Sequence, residues 1–99
     1  MHNFAISVKP GKSAQEGQQD VSVSTTSAAT TNPIGTTTAV VYSTVECFLV
    51  TGTAPTATVA VGTPIPANTL VPISGFAPSD KIAAIAASGS GTLYIRPSA

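Results

Sequence analysis

Eight prolines are spread through 99 residues that are rich in Thr, Ser, Val and Ile and poor in Leu and Glu. That combination constrains the chain more than any other feature. Proline lacks the amide donor and its ring clashes with the preceding turn, so it interrupts a helix anywhere beyond the first turn. β-Branched residues prefer a pleated, half-buried surface. Short β-rich runs separated by turn residues at regular spacing predict an all-β domain.

The runs can be followed along the chain. Phe4, Ile6 and Val8 alternate with Ala5, Ser7 and Lys9, as in a half-buried strand. Lys9 to Gln19 is polar and reads as a loop. Val21 and Val23 mark a second strand, and Asn32-Pro33-Ile34-Gly35 a turn. Ala39 to Thr51 is the most apolar stretch, divided near Ser43-Thr44 into two strands. Val59 and Val61 suggest another short strand, and Pro64 and Pro66 are expected to break pairing before Leu70, Val71 and Ile73. Ala77-Pro78-Ser79-Asp80 turns into Lys81 to Ile85, where the alanines also suit a helix; the short length and flanking turns favour strand. Gly89-Ser90-Gly91 then leads, as a hairpin, into Thr92 to Arg96. The expected architecture is a single antiparallel β-sandwich or jelly-roll of seven to eight strands. Residues 1–20 would form an N-terminal strand and polar loop, able to act as a docking arm, and residues 21–99 the sandwich.

Composition narrows the function. Hydrophobic residues make up 42% of the chain and charged residues only 8%, with four acids balancing four bases. Such a chain can bury a core but has no field to attract nucleic acid or acidic membrane. No apolar run approaches the ~20 residues that span a bilayer. A surface this poor in charge suits a protein packed against others, and self-association as a dimer or trimer is expected. Met1 to Ala5 lack the basic and apolar regions of a secretory signal, so folding in a reducing cytoplasm is expected.

The residue types that carry chemistry are scarce. His2 is the single histidine, at a terminus. A nucleophilic site would require it to be held rigidly against Cys47 or a serine. Cys47, the single cysteine, sits in the strongest strand and reads as a small buried apolar residue. Glu16, Asp20, Glu46 and Asp80 have neither EF-hand nor paired-carboxylate spacing, and one His with one Cys does not supply a zinc site. Gly89-Ser90-Gly91-Thr92 precedes a strand and lacks the lysine of a phosphate loop. Catalytic, cofactor-binding and metal-binding residues are therefore expected to be none, and the protein is expected not to be an enzyme.

Apolar residues on both faces of a strand are the more useful signal. With Val45, Cys47 and Leu49 inward, period-2 geometry turns Glu46, Phe48 and Val50 outward. Phe48 and Val50 then form either an exposed contact patch or the second face of a strand covered on both sides. Leu93 and Ile95 inward leave Thr92, Tyr94 and Arg96 outward, and Tyr and Arg are enriched in contact patches. The interface candidates are Phe4, Ile6, Val8, Phe48, Val50, Tyr94 and Arg96.

Five segments, in order, carry a resemblance to a known group: Val45-Glu46-Cys47-Phe48-Leu49-Val50, Ala54-Pro55-Thr56-Ala57-Thr58, Ile65-Pro66-Ala67-Asn68-Thr69, Lys81-Ile82-Ala83-Ala84-Ile85 and Gly91-Thr92-Leu93-Tyr94-Ile95. From about Ser22 onward the chain resembles small β-sandwich proteins of bacteriophage particles, and Met1 to Gln19 lie outside the likeness. The resemblance implies a virion structural protein, assembled in the host bacterial cytoplasm. Its partners would be the major capsid protein or other virion proteins, and its role that of a capsid decoration or cement protein on the outside of the head. The alternatives are a tail- or fibre-associated adaptor and a host-receptor or carbohydrate-binding sandwich.

Overall fold

The computed structural model describes residues 19–97, and the strand expected at Phe4, Ile6 and Val8 lies outside them. Eight strands form among the described residues: Gln19–Val23 (β1), Ala28–Ala29 (β2), Thr38–Ser43 (β3), Cys47–Gly52 (β4), Thr63–Ile65 (β5), Leu70–Ser74 (β6), Lys81–Ile85 (β7) and Gly91–Pro97 (β8). They make two four-stranded antiparallel sheets, ordered β1-β8-β3-β6 and β2-β7-β4-β5. The first strand pairs with the last, the second with the seventh, the third with the sixth and the fourth with the fifth. A long hairpin folded on itself gives this nesting, which is the jelly-roll form of the expected sandwich. Pairings of β3 with β8 and β4 with β7 complete the sheets.

Alternation builds the core. Val21, Val23, Ala39, Val41, Leu93 and Ile95 point inward from one sheet and Cys47, Leu49, Ile65, Ile82 and Ala84 from the other. Fully burying a Val, Leu or Ile side chain stabilises by about 1.5–3 kcal/mol. Most of these inward residues are β-branched, so each lies in a backbone conformation that also suits it.

Several local expectations change. The expected turn at Asn32 to Gly35 does more than reverse the chain: β2 lies shortly before it, and Ile34 within it is fully buried. The Ile34 and Gly35 amides donate to the Asp80 and Pro78 carbonyls at 2.9 Å, so this loop interlocks with the turn before β7. Val59 and Val61 form no strand; they sit in a turn where the Gly62 amide donates to the Thr58 carbonyl at 2.8 Å. Pro64 does not break pairing but lies inside β5, and Pro72 lies inside β6. Both strands are at sheet edges, where the missing amide can face solvent. Gly89 to Gly91 is not a hairpin, because β7 and β8 belong to different sheets and the chain crosses between them there. The first sheet strand begins at Gln19, inside the segment expected to be arm.

The long connection from β4 to β5, residues 53–62, crosses the outer face of its own sheet. Its Ala57 amide donates to Ser27 Oγ at 2.8 Å, beside β2 on the opposite edge. Ala57 is buried, and so is Ala83 of β7, although both lie outside the core cluster. This strap covers the sheet from outside.

Candidate functional site

Among the described residues, no such strap crosses the outer face of the β1-β8-β3-β6 sheet. Inward placement of Val21, Val41, Leu93 and Ile95 turns Asp20, Tyr94, Tyr42 and Leu70 outward. Cross-strand register sets these four opposite one another in a single row across all four strands. A second row holds Arg96, Val40 and Pro72. Leu70 is 59% exposed and Tyr94 36% exposed, whereas Val40 is buried between its neighbours.

Geometry within the rows is specific. The Tyr42 and Tyr94 rings lie 6.3 Å apart, centroid to centroid, tilted by 46°. That spacing falls in the favourable range for aromatic pairs. The Arg96 guanidinium sits 5.8 Å from the centre of the Tyr94 ring, close enough for cation–π attraction. Its Nη1 donates to Asp20 Oδ1 at 3.0 Å, to the Ile95 carbonyl at 2.9 Å and to the Gln19 carbonyl at 3.3 Å. One nitrogen carries two hydrogens, so three acceptors must share them and the guanidinium is held in one place.

Asn68 finishes the row at its far end. It adopts the left-handed conformation, with φ 57°, which Asn tolerates better than most residues. Its amide donates to the Ser43 carbonyl at 2.7 Å, and its Oδ1 accepts from the Tyr42 hydroxyl at 3.2 Å. The β5–β6 turn thereby fixes the tilt of a ring on β3. The result is a rigid, amphipathic platform that can stack on a flat apolar partner and hydrogen-bond at both ends.

Tyr94 and Arg96 are thus together on one open face, as the alternation of β8 predicts. Phe48 and Val50 lie on the other sheet and point outward, but they are half-buried rather than exposed. A Cβ built on Gly62 would stand 2.6 Å from the Phe48 Cβ, which shows how closely the end of the strap lies against it. These two residues therefore belong to a separate surface. Phe4, Ile6 and Val8 lie outside the described residues. Tyr42, Leu70, Asn68 and Asp20 join the platform through register, which no local pattern in the sequence reveals.

Other chemistry is sparse. Cys47 is free and buried in the core. Burial pushes its thiol above the ordinary 9.0; a hydrogen bond with Ser43 opposes the shift, and the nearby Glu46 charge adds to it. Among the described residues no group of three or more His, Cys, Asp or Glu could hold a metal ion. A cleft of about 410 Å³ opens between the β5 and β6 edges, lined by Leu49, Ile65, Ile73 and Phe76 with Val61 at its side. Compared with family models, curated proteins and solved structures, the chain matches none.

Proposed function

We propose that this chain is a non-enzymatic structural protein of a bacteriophage particle, a decoration or cement protein that binds the outside of the capsid and reinforces it. The observation that carries the reading is the unstrapped face with its Tyr42–Tyr94 pair, Leu70 and the fixed Arg96. Tyr and Arg are the residue types that most often anchor protein contacts. The low charge of the chain and its resemblance to virion proteins support the same reading. The jelly-roll is used by capsid and lectin domains alike, so the fold supports binding without choosing the partner.

A second reading follows from the platform itself. Paired tyrosine rings flanked by Asn68 and Arg96 suit the apolar face and hydroxyl edge of a sugar, as a tail- or fibre-associated receptor-binding domain would need. Quantifying the protein per particle separates the two. Hundreds of copies, with binding to stripped capsids abolished by Tyr94→Ala and Leu70→Ser, support decoration. A dozen or fewer copies, or unchanged capsid binding by both variants, overturns it.

A further inference from the structure

The cleft between the β5 and β6 edges is the second recognisable surface, and part of its wall is a strand edge with no partner among the described residues. β5 lies opposite only Cys47, Phe48 and Leu49 of β4. Val50, Thr51 and Gly52 continue the strand and pair with β7 on their other side, but no β5 residue faces them. The chain has left the ladder at Gly62, which turns against Phe48. Pro64 and Pro72 interrupt donation along the flanking edges, so β4 offers the most usable backbone. Beside it, Leu49, Ile65, Ile73 and Phe76 line an apolar volume in the size range of ligand clefts. An occupant that fits is an extended segment with an apolar residue at every second position.

We propose that the occupant is the segment Phe4-Ala5-Ile6-Ser7-Val8 of a second copy of this chain, added beside Val50 to Gly52 as an extra strand. Phe4, Ile6 and Val8 share one face of an extended segment, so all three can enter the cleft while Ala5 and Ser7 face away. The ten residues from Lys9 to Gln18 reach up to ~33 Å when extended. A tether of that length also spans one molecule, of extents 32 × 31 × 25 Å, so insertion into the chain's own cleft is the competing outcome, which a monomeric full chain would reveal. The described chain starts in β1, and the Gln19 side chain binds the Asn32 backbone at 2.8 and 3.1 Å, near β2. β1 and β2 form one lateral side of the sandwich, and β5 and β6 form the other. Copies set side by side in the same orientation bring one molecule's starting edge to the next one's cleft. Contacts of this head-to-tail kind close into rings or continue as arrays.

The proposal is independent of the phage reading and is tested on the isolated protein. Light scattering of the full chain at up to a few hundred micromolar should give an oligomer, a whole multiple of 9.8 kDa. Deleting Met1 to Lys9 should give a monomer, and so should V61R/T63K, which places charge at the rim; Val61 is 76% exposed, so this variant keeps its core. Mixing the two should restore a one-to-one dimer, because one still has a cleft and the other an arm. A labelled peptide of residues 1–9 should bind the deletion variant at least tenfold more tightly than a protein that lacks the arm and carries V61R/T63K. A monomeric full chain, an oligomer that survives either change, or equal peptide affinities would overturn the proposal.

Discussion

The two outer faces of this sandwich begin from the same strand alternation and end differently. On the β2-β7-β4-β5 sheet Ala83 points outward among the larger Phe48, Val50 and Ile85 and is fully buried, and the strap of residues 53–62 closes over this face. On the β1-β8-β3-β6 sheet the outward residues include Tyr42, Tyr94, Leu70 and Arg96, and no described connection crosses them. Alanine at the centre of the face lets backbone approach there, and Phe48 and Val50 beside it are left half-buried. The face with two tyrosines and an arginine is crossed by no described connection. One alanine beneath the strap, against a tyrosine pair and an arginine on the other face, marks the difference between the two sheets.

A polar side chain placed on each face should break this comparison most sharply. Ala83→Asp would put a short carboxylate beneath the strap, too short to reach water, and should cost roughly 3 kcal/mol or more. For a small domain whose total stability is about 5–15 kcal/mol, urea denaturation would show a large loss. Tyr94→Thr keeps a strand-forming residue on the open face and should cost about 1 kcal/mol or less. Equal losses for the two variants would mean that the faces do not differ as described.

Gly62→Ala tests the strap with an intermediate effect. A Cβ at Gly62 would meet the Phe48 Cβ at 2.6 Å, the Thr58 carbonyl at 3.0 Å and the Phe48 backbone carbon at 3.1 Å. Two of these contacts are backbone, so relief requires the strap to lift. A loss of about 1–3 kcal/mol is expected. Faster amide exchange at Ala57, whose amide is held by Ser27, should accompany it.

Much of the fold is legible because period-2 alternation is a local property. Val21 with Val23, and Leu93 with Ile95, declare their strands and inward faces without reference to anything distant. Val59 and Val61 mislead for the same reason: their residue type suits a strand, but the Thr58–Gly62 turn takes the backbone instead. The assignment of β7 and β8 to different sheets is set by which strands meet across the core, and Gly89-Ser90-Gly91 carries no mark of it. The candidate site divides in the same way. Tyr94 and Arg96 follow from their own strand, whereas the Tyr42–Tyr94 pair exists only because β3 lies beside β8.

The core beneath both faces has a pH dependence of known sign. The Cys47 thiol is raised above 9.0 by burial first, so the unfolded chain loses its proton at lower pH than the folded one. This contribution to stability is complete below pH 9.0 and is lost as pH rises from there through the folded value. Denaturation midpoints of the protein and Cys47→Ala, compared at pH 8 and about pH 10, should converge as pH rises. A thiol reagent should react slowly with the native protein, at a rate set by opening of the core.

The smallest expected effect, Asp20→Asn, sharpens the reading of the open face. Arg96 and Asp20 form an ion pair at 3.0 Å near the surface, and exposed pairs of this kind contribute about 0.2–1 kcal/mol. Removing the carboxylate charge leaves the guanidinium on the Ile95 and Gln19 carbonyls and beside the Tyr94 ring. Stability should fall by no more than about 0.5 kcal/mol, with the difference shrinking in high salt. Asp20 neutralises part of the arginine's field, so the variant face becomes more cationic while its shape persists. Binding to an acidic partner surface should strengthen, and binding to a neutral sugar should change little. Capsid and glycan-array binding by Asp20→Asn at two salt concentrations thus reports which kind of partner the platform meets. A large loss of stability would show instead that Asp20 holds the face together, and the platform would not be a preformed surface.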